Sequence, residues 1–113
     1  EAVKFLINSG ADLNVRDRYG DTILHHLARL NNFEAVKFLI NIGADLNDGN
    51  IYGDTILHYL ARLNNFEAVK FLINSGADLN VRDGYGGTIL RYFARLNNFE
   101  AVYFLINSGA YFY

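Results

Sequence analysis

Gly20-Asp21-Thr22-Ile23-Leu24-His25-His26-Leu27-Ala28-Arg29-Leu30-Asn31-Asn32-Phe33-Glu34-Ala35-Val36-Lys37-Phe38-Leu39-Ile40-Asn41 reads as two short helices joined by a break. In the second half, Phe33, Val36 and Ile40 are spaced for one helical face, with Ala35 and Leu39 beside them, so the apolar stripe is wide. Asn31 and Glu34 carry the three-residue offset of a capping box. The first half, from Thr22 to Arg29, is a shorter helix with Thr22 as its N-cap candidate. Asn31 and Asn32 interrupt the chain between them, because asparagine tolerates left-handed geometry. Gly43 stands where a left-handed residue would close the second helix.

The same pattern returns along the chain. Glu-Ala-Val recurs at Glu1, Glu34, Glu67 and Glu100, a period of 33 residues. The units starting at Glu1 and Glu34 agree at 27 of 33 positions, and those starting at Glu1 and Glu67 at 28 of 33, so the chain is an array and must be read as one. Between helix pairs, stretches such as residues 10–20 are rich in Asn, Asp and Gly and have no helical period, which predicts extended turns.

Gly20-Asp21-Thr22-Ile23-Leu24-His25 and Gly43-Ala44-Asp45-Leu46-Asn47 resemble the Gly-x-Thr-Pro-Leu-His and Gly-Ala-Asp-Val-Asn motifs of the ankyrin repeat family. The resemblance covers almost the whole chain. It implies an all-α solenoid of stacked helix-turn-helix units with extended turns: a single array with a partial unit 1–16 and units 17–49, 50–82 and 83–113. Three departures stand out. Ile23, Ile56 and Ile89 replace the family proline at the first helical position, where proline contributes preorganisation rather than a bond. Leu27, Leu60 and Phe93 stand where the family usually has alanine, which predicts slightly wider helix spacing. Arg91 replaces the motif histidine, removing a local hydrogen bond that the resemblance implies for His25 and His58.

Composition narrows the function. Net charge is −2, so a phosphate backbone is a poor match and no nucleic-acid partner is expected. Without cysteine there is no disulfide, thiolate zinc site or cysteine nucleophile, a composition compatible with the cytosol. No apolar run approaches the ~20 residues of a membrane span. A chain opening on Glu1 reads as a trimmed or excerpted piece. His25 and His26 are adjacent and point to different sides of a helix, which is poor chelating geometry. Gly84-Tyr85-Gly86-Gly87 lacks the Lys-Ser/Thr and preceding strand of a phosphate loop. Asp12, Asp45 and Asp78 recur once per unit, as structural residues do, and no serine has a plausible base. Neither catalysis nor a cofactor is expected.

Across the three full units nine columns vary, and eight of them lie between Val15 and Leu27 in first-unit numbering. Stacking positions must stay alike for each unit to dock on the next, whereas a recognition surface is free to change. By resemblance, the turn tips and first helices form the concave, partner-facing surface. The candidate contacts for a protein or peptide are therefore Arg18, Tyr19, Asp21, Ile51, Tyr52, Asp54, Tyr85 and Gly87 on the turns. On the first helices they are His26, Arg29, Leu30, Tyr59, Arg62, Leu63, Tyr92, Arg95 and Leu96. Tyr19, Tyr52 and Tyr85 would form a ladder along the stack, either facing a partner or packing on the neighbouring turn. The last unit is more apolar than the others: Tyr103 replaces Lys37 and Lys70, and Tyr-Phe-Tyr ends the chain. This suggests self-association through Tyr103, Tyr111, Phe112 and Tyr113. A self-associating structural or engineered scaffold is thus the alternative to a recognition module, and the near identity of the units points to recent duplication or deliberate design.

Overall fold

The computed structural model describes Leu13 and residues 15–111. Within them six helices form three hairpins. These are α1 (Ile23–Arg29) with α2 (Phe33–Asn41), α3 (Ile56–Arg62) with α4 (Phe66–Asn74), and α5 (Ile89–Arg95) with α6 (Phe99–Asn107). The first helices stack on one another, α1 on α3 and α3 on α5, and there is no strand among the described residues. Most of the partial unit 1–16 lies outside the described residues.

Each first helix starts at an extended threonine: Thr22, Thr55 or Thr88. The Thr22 amide donates to His25 Nδ1 at 3.0 Å, so Nδ1 is unprotonated and Nε2 carries the proton, which it donates to the Asp54 carbonyl at 3.1 Å. His58 does the same, accepting from the Thr55 amide at 3.0 Å and donating to the Val81 carbonyl at 3.0 Å. One imidazole thereby caps its own helix and ties it to the next unit. In the third unit Arg91 cannot accept, and the Thr88 hydroxyl instead accepts from the Arg91 amide at 3.4 Å.

Burial holds His58 below the ordinary 6.5 of histidine, against the pull of the Val81 carbonyl and of nearby Asp83 and Asp54. A base whose folded value is depressed stabilises the fold fully above its unfolded value, and that contribution is lost as pH falls below it. Denaturant titrations should therefore show unfolding free energy declining from about pH 6.5 downward. A flat profile between pH 7 and 5 would contradict this role.

The break between helices uses its two asparagines differently. Asn31, Asn64 and Asn97 take φ of 59°, 59° and 58°. Asn32, the true N-cap of α2, accepts from the Ala35 amide at 3.2 Å. The expected Asn31–Glu34 capping box does not form: Asn31 is spent on the left-handed turn, the cap lies one residue later, and Ala35 has no side-chain acceptor to return the bond. At the other end of α2, Gly43 (φ 106°) donates to the Ile40 carbonyl and Ala44 to that of Leu39. These two bonds make a Schellman closure that needs a residue without a Cβ penalty.

The core runs continuously through the units. Leu24, Ala28, Val36 and Leu39 are buried, as are Leu57, Ala61, Val69 and Leu72 one unit on. Leu27, Leu60 and Phe93 are buried too. Second helices meet through rings: Phe33 packs edge-on to Phe71 and Phe66 to Phe104, each with centroids 5.6 Å apart.

Candidate protein-binding face

The turn tips are built from the backbone. Asp17 accepts from the Gly20 amide and donates to the Asp21 carbonyl, both at 3.0 Å, closing a tight turn in which Gly20 has φ 78°. Asn50–Gly53 and Asp83–Gly86 repeat this bond. Successive tips are hydrogen-bonded: the Ile51 amide donates to the Tyr19 carbonyl at 3.0 Å, and Gly84 to that of Tyr52 at 2.7 Å. A Cβ on Gly84 would lie 2.8 Å from that Tyr52 oxygen, so the third tip needs glycine where the others carry Arg18 and Ile51.

The candidate residues divide into two groups. The first is exposed. Arg18 lies over the Tyr19 ring at 5.1 Å, and Tyr19 stacks on Tyr52 with centroids 6.3 Å apart and planes at 26°. Tyr85 leaves the ladder and is 93% exposed. Ile51 is exposed at the second tip, and Leu30, Leu63 and Leu96 are exposed at the ends of the first helices. Arg95 is exposed, with its guanidinium 5.7 Å from the Tyr92 ring centre.

The second group faces inward. Asp21 is buried and accepts from Arg29 at 2.6 Å, Asn50 at 2.9 Å and the Tyr59 phenol at 3.1 Å. Burial pushes its carboxyl up, but the bonds from Asn50, Arg29 and Tyr59 outweigh that and hold it below the usual carboxylate range. One unit further, the Nη2 of Arg62 lies 2.6 Å from Asp54, 2.8 Å from Asp83 and 3.2 Å from the Tyr92 phenol, which itself donates to Asp83. That nitrogen has only two protons, so the third contact is shared. Burial raises the Asp83 carboxyl. The Tyr92 phenol, the Gly87 amide, Arg62 and the Tyr85 amide together bring it down to about 2.

These residues form one polar chain through the stack, and it explains the variation at Gly87. The Tyr92 phenol reaches Asp83 across the position that Asp21 and Asp54 fill in the other units, and a Cβ there would stand 2.8 Å from that phenol oxygen. The Tyr59 phenol also meets the Asp83 column in its own unit, accepting from Asn50 at 2.8 Å, and donates to Asp21 of the unit before. Asp21, Asp54, Tyr59, Arg62, Gly87 and Tyr92 thus have roles inside the stack.

Sequence reasoning did not single out Asp17, Asn50 and Asp83. Their Oδ1 atoms each accept two amides, from Tyr19 and Asp21, from Tyr52 and Asp54, and from Tyr85 and Gly87. The signal was present: this variable column holds only Asp and Asn, the two residues that share that acceptor.

Between the first two tips, an open cleft of about 450 Å³ is lined by Asp17, Tyr19, Asp21, His26, Arg29, Asn50, Tyr52 and Tyr59. Ligand atoms of Asp17, Asp21 and His26 lie within 4.8 Å of one another there. His26 Nε2 is 3.0 Å from Asp17, and Asp21 is occupied by Arg29, so this donor set is already satisfied by the chain's own groups. The cleft offers a polar floor and a stacked tyrosine wall to a side chain from outside.

Tyr103 and Tyr111 are exposed, the latter donating its amide to Asn80, while Phe112 and Tyr113 lie outside the described residues. No helix among the described residues is long and apolar enough to cross a membrane. Among curated proteins, none matches this chain. The family model for ankyrin repeats, in its three-copy form, matches residues 1–83, and the chain therefore belongs to the ankyrin repeat family.

Proposed function

We propose that this chain is a non-catalytic recognition module that grips a protein or peptide through its turn tips and the rim of its first helices. Ankyrin repeats are generally protein–protein interaction modules. The observation that carries the reading is the row of large side chains at the tips that vary between units or stand exposed: Arg18, Ile51, Tyr52 and Tyr85. Tyrosine and arginine tend to carry interface energy, and the cleft beside Tyr19 and Tyr52 would seat one projecting side chain.

The test is to pan a displayed peptide library against the immobilised protein. Peptides enriched on the wild type should bind the Ile51→Ala/Tyr52→Ala/Tyr85→Ala variant at least about tenfold more weakly, the loss of one or two hot spots. All three residues are exposed, so the circular dichroism of that variant should be unchanged. Undiminished binding would move the site elsewhere. Tyr59 and Arg62 do not suit this test, because removing them breaks the ties between units.

A further inference from the structure

We propose that His25 and His58 are an acid-sensitive latch on the second turn tip, holding Ile51 and Tyr52 in the recognition face at neutral pH and releasing them in mild acid. The two imidazoles grip opposite sides of one peptide group. The Asp54 carbonyl accepts from His25 Nε2 at 3.1 Å, and the Thr55 amide, across the same peptide bond, donates to His58 Nδ1 at 3.0 Å. That peptide is the base of the tip. The Asp54 carbonyl also accepts from the Asn50 amide at 3.0 Å, and the Asp54 amide donates to Asn50 Oδ1 at 3.0 Å, closing the turn that carries Ile51 and Tyr52. With Thr22 before and Val81 after, the bonds run in one direction from the Thr22 amide through both rings to the Val81 carbonyl. Both rings are buried. The third tip has no such hold, because Arg91 stands in the histidine column.

Each ring can serve only while it is neutral. Nδ1 accepts an amide proton, so a proton added there sets two donors against each other at 3.0 Å. On His58 this breaks the hold on the Thr55 amide outright. On His25 it drives the ring from the Thr22 amide and takes the Nε2 donor away from Asp54. Asp54, Asp83 and Arg62 stand around His58, with the Tyr92 ring edge-on at 6.4 Å, and the Tyr59 ring meets His25 edge-on at 5.8 Å. Burial outweighs the pull of the two carboxylates and keeps His58 neutral until the pH falls below the ordinary 6.5 of histidine. Asp21 and Asp83 are held below the usual carboxylate range, so their pairs with Arg29 and Arg62 are still intact when His58 charges. The tip therefore lets go while the stack holds.

Amide hydrogen exchange on the whole chain reads the latch without any ligand. From pH 7 to pH 5 the protection factor of the Thr55 amide should fall about tenfold more than that of Leu72, inside the neighbouring α4. His25→Gln/His58→Gln should abolish that difference, because glutamine at this position of a threonine-capped helix accepts the same amide and does not titrate. Equal falls at Thr55 and Leu72, or no fall at Thr55, overturn the latch, as does a response that survives in the glutamine variant. The consequence for binding rests on the recognition reading. For peptides selected on the tips at pH 7, the affinity ratio between pH 7 and pH 5 should be about tenfold larger for the wild type than for the glutamine variant, and equal ratios overturn the control of binding. His26, which lines the cleft, is present in both proteins, so its own effect cancels. Failure to select any peptide sinks the recognition reading alone, since exchange at Thr55 reports on the latch directly.

Discussion

Phe93→Ala should lower the unfolding free energy by about 3–5 kcal/mol, although alanine is the residue that ankyrin-type sequences usually carry at this position. The phenylalanine is fully buried and packs edge-on to Phe66, with ring centroids 6.1 Å apart. Leu27 and Leu60 occupy the same column and are also buried, so the whole array is built around a large side chain here. Truncating one member leaves a void between α4 and α5 that its neighbours cannot fill without leaving their own contacts. Phe93→Leu, which copies the other units, should cost less than about 1.5 kcal/mol because most of the volume is kept. Urea melts followed by circular dichroism measure both. A loss below about 1 kcal/mol for the alanine variant would mean that the junction collapses onto the smaller residue, and that the large side chain is dispensable.

The fold was legible because its strongest signals are local and repeated. Apolar spacing within nine residues, a threonine cap and a closing glycine recur at each period, and the structure uses them as read. The capping asparagine was misplaced by one residue for an equally local reason. Asn31 and Asn32 are chemically identical, and only the backbone decides which turns and which caps. The candidate site was legible only in part. Variation between units does not say whether a side chain points out or in, since the column of Leu27, Leu60 and Phe93 varies and is buried in the stack. Tyr52 and Tyr59 are both tyrosines in the same unit. Tyr52 stacks at the tip, while Tyr59 reaches back across 38 residues to a buried carboxylate. The bonds that decide this run from one unit to the next, and single-column reading does not register them.

Those bonds make the variable columns depend on one another. Gly87 is tolerable because Tyr92 occupies the space of an aspartate side chain, and Tyr92 has a partner because the turn before it carries Asp83. A unit cannot be moved along the stack without carrying its matching set, so variation that resembles drift includes constraints on unit order. The exposed tips, by contrast, meet through the backbone bonds between successive turns and, at the first two, through the Tyr19–Tyr52 stack.

Arg62→Ala is the sharpest test of that internal chain, and it should cost about 3 kcal/mol. The guanidinium is the only cation within ion-pair distance of Asp83 among the described residues, and the side chain of that carboxylate is fully buried. Removing one partner of a buried pair leaves the other charge without compensation, which is worse than never having had the pair. Arg29→Ala should cost nearer 1 kcal/mol, since Arg29 is half exposed and Asp21 keeps Asn50 and Tyr59. Acid gives an independent reading. A carboxyl held at about 2 stabilises the fold fully above its unfolded value near 3.8, and that contribution is lost as pH falls from about 4 to about 2. The wild type should therefore shed stability steeply across that window, and Arg62→Ala less steeply, because part of the depression has gone. Asp83→Asn keeps the Oδ1 that the Tyr85 and Gly87 amides need, as Asn50 does in its own unit. Added to Arg62→Ala it should recover stability, because the charge that lost its partner is no longer there. If the double variant is as unstable as Arg62→Ala alone, the carboxylate is not the source of the loss, and packing of the arginine stem against Tyr92 must carry it instead.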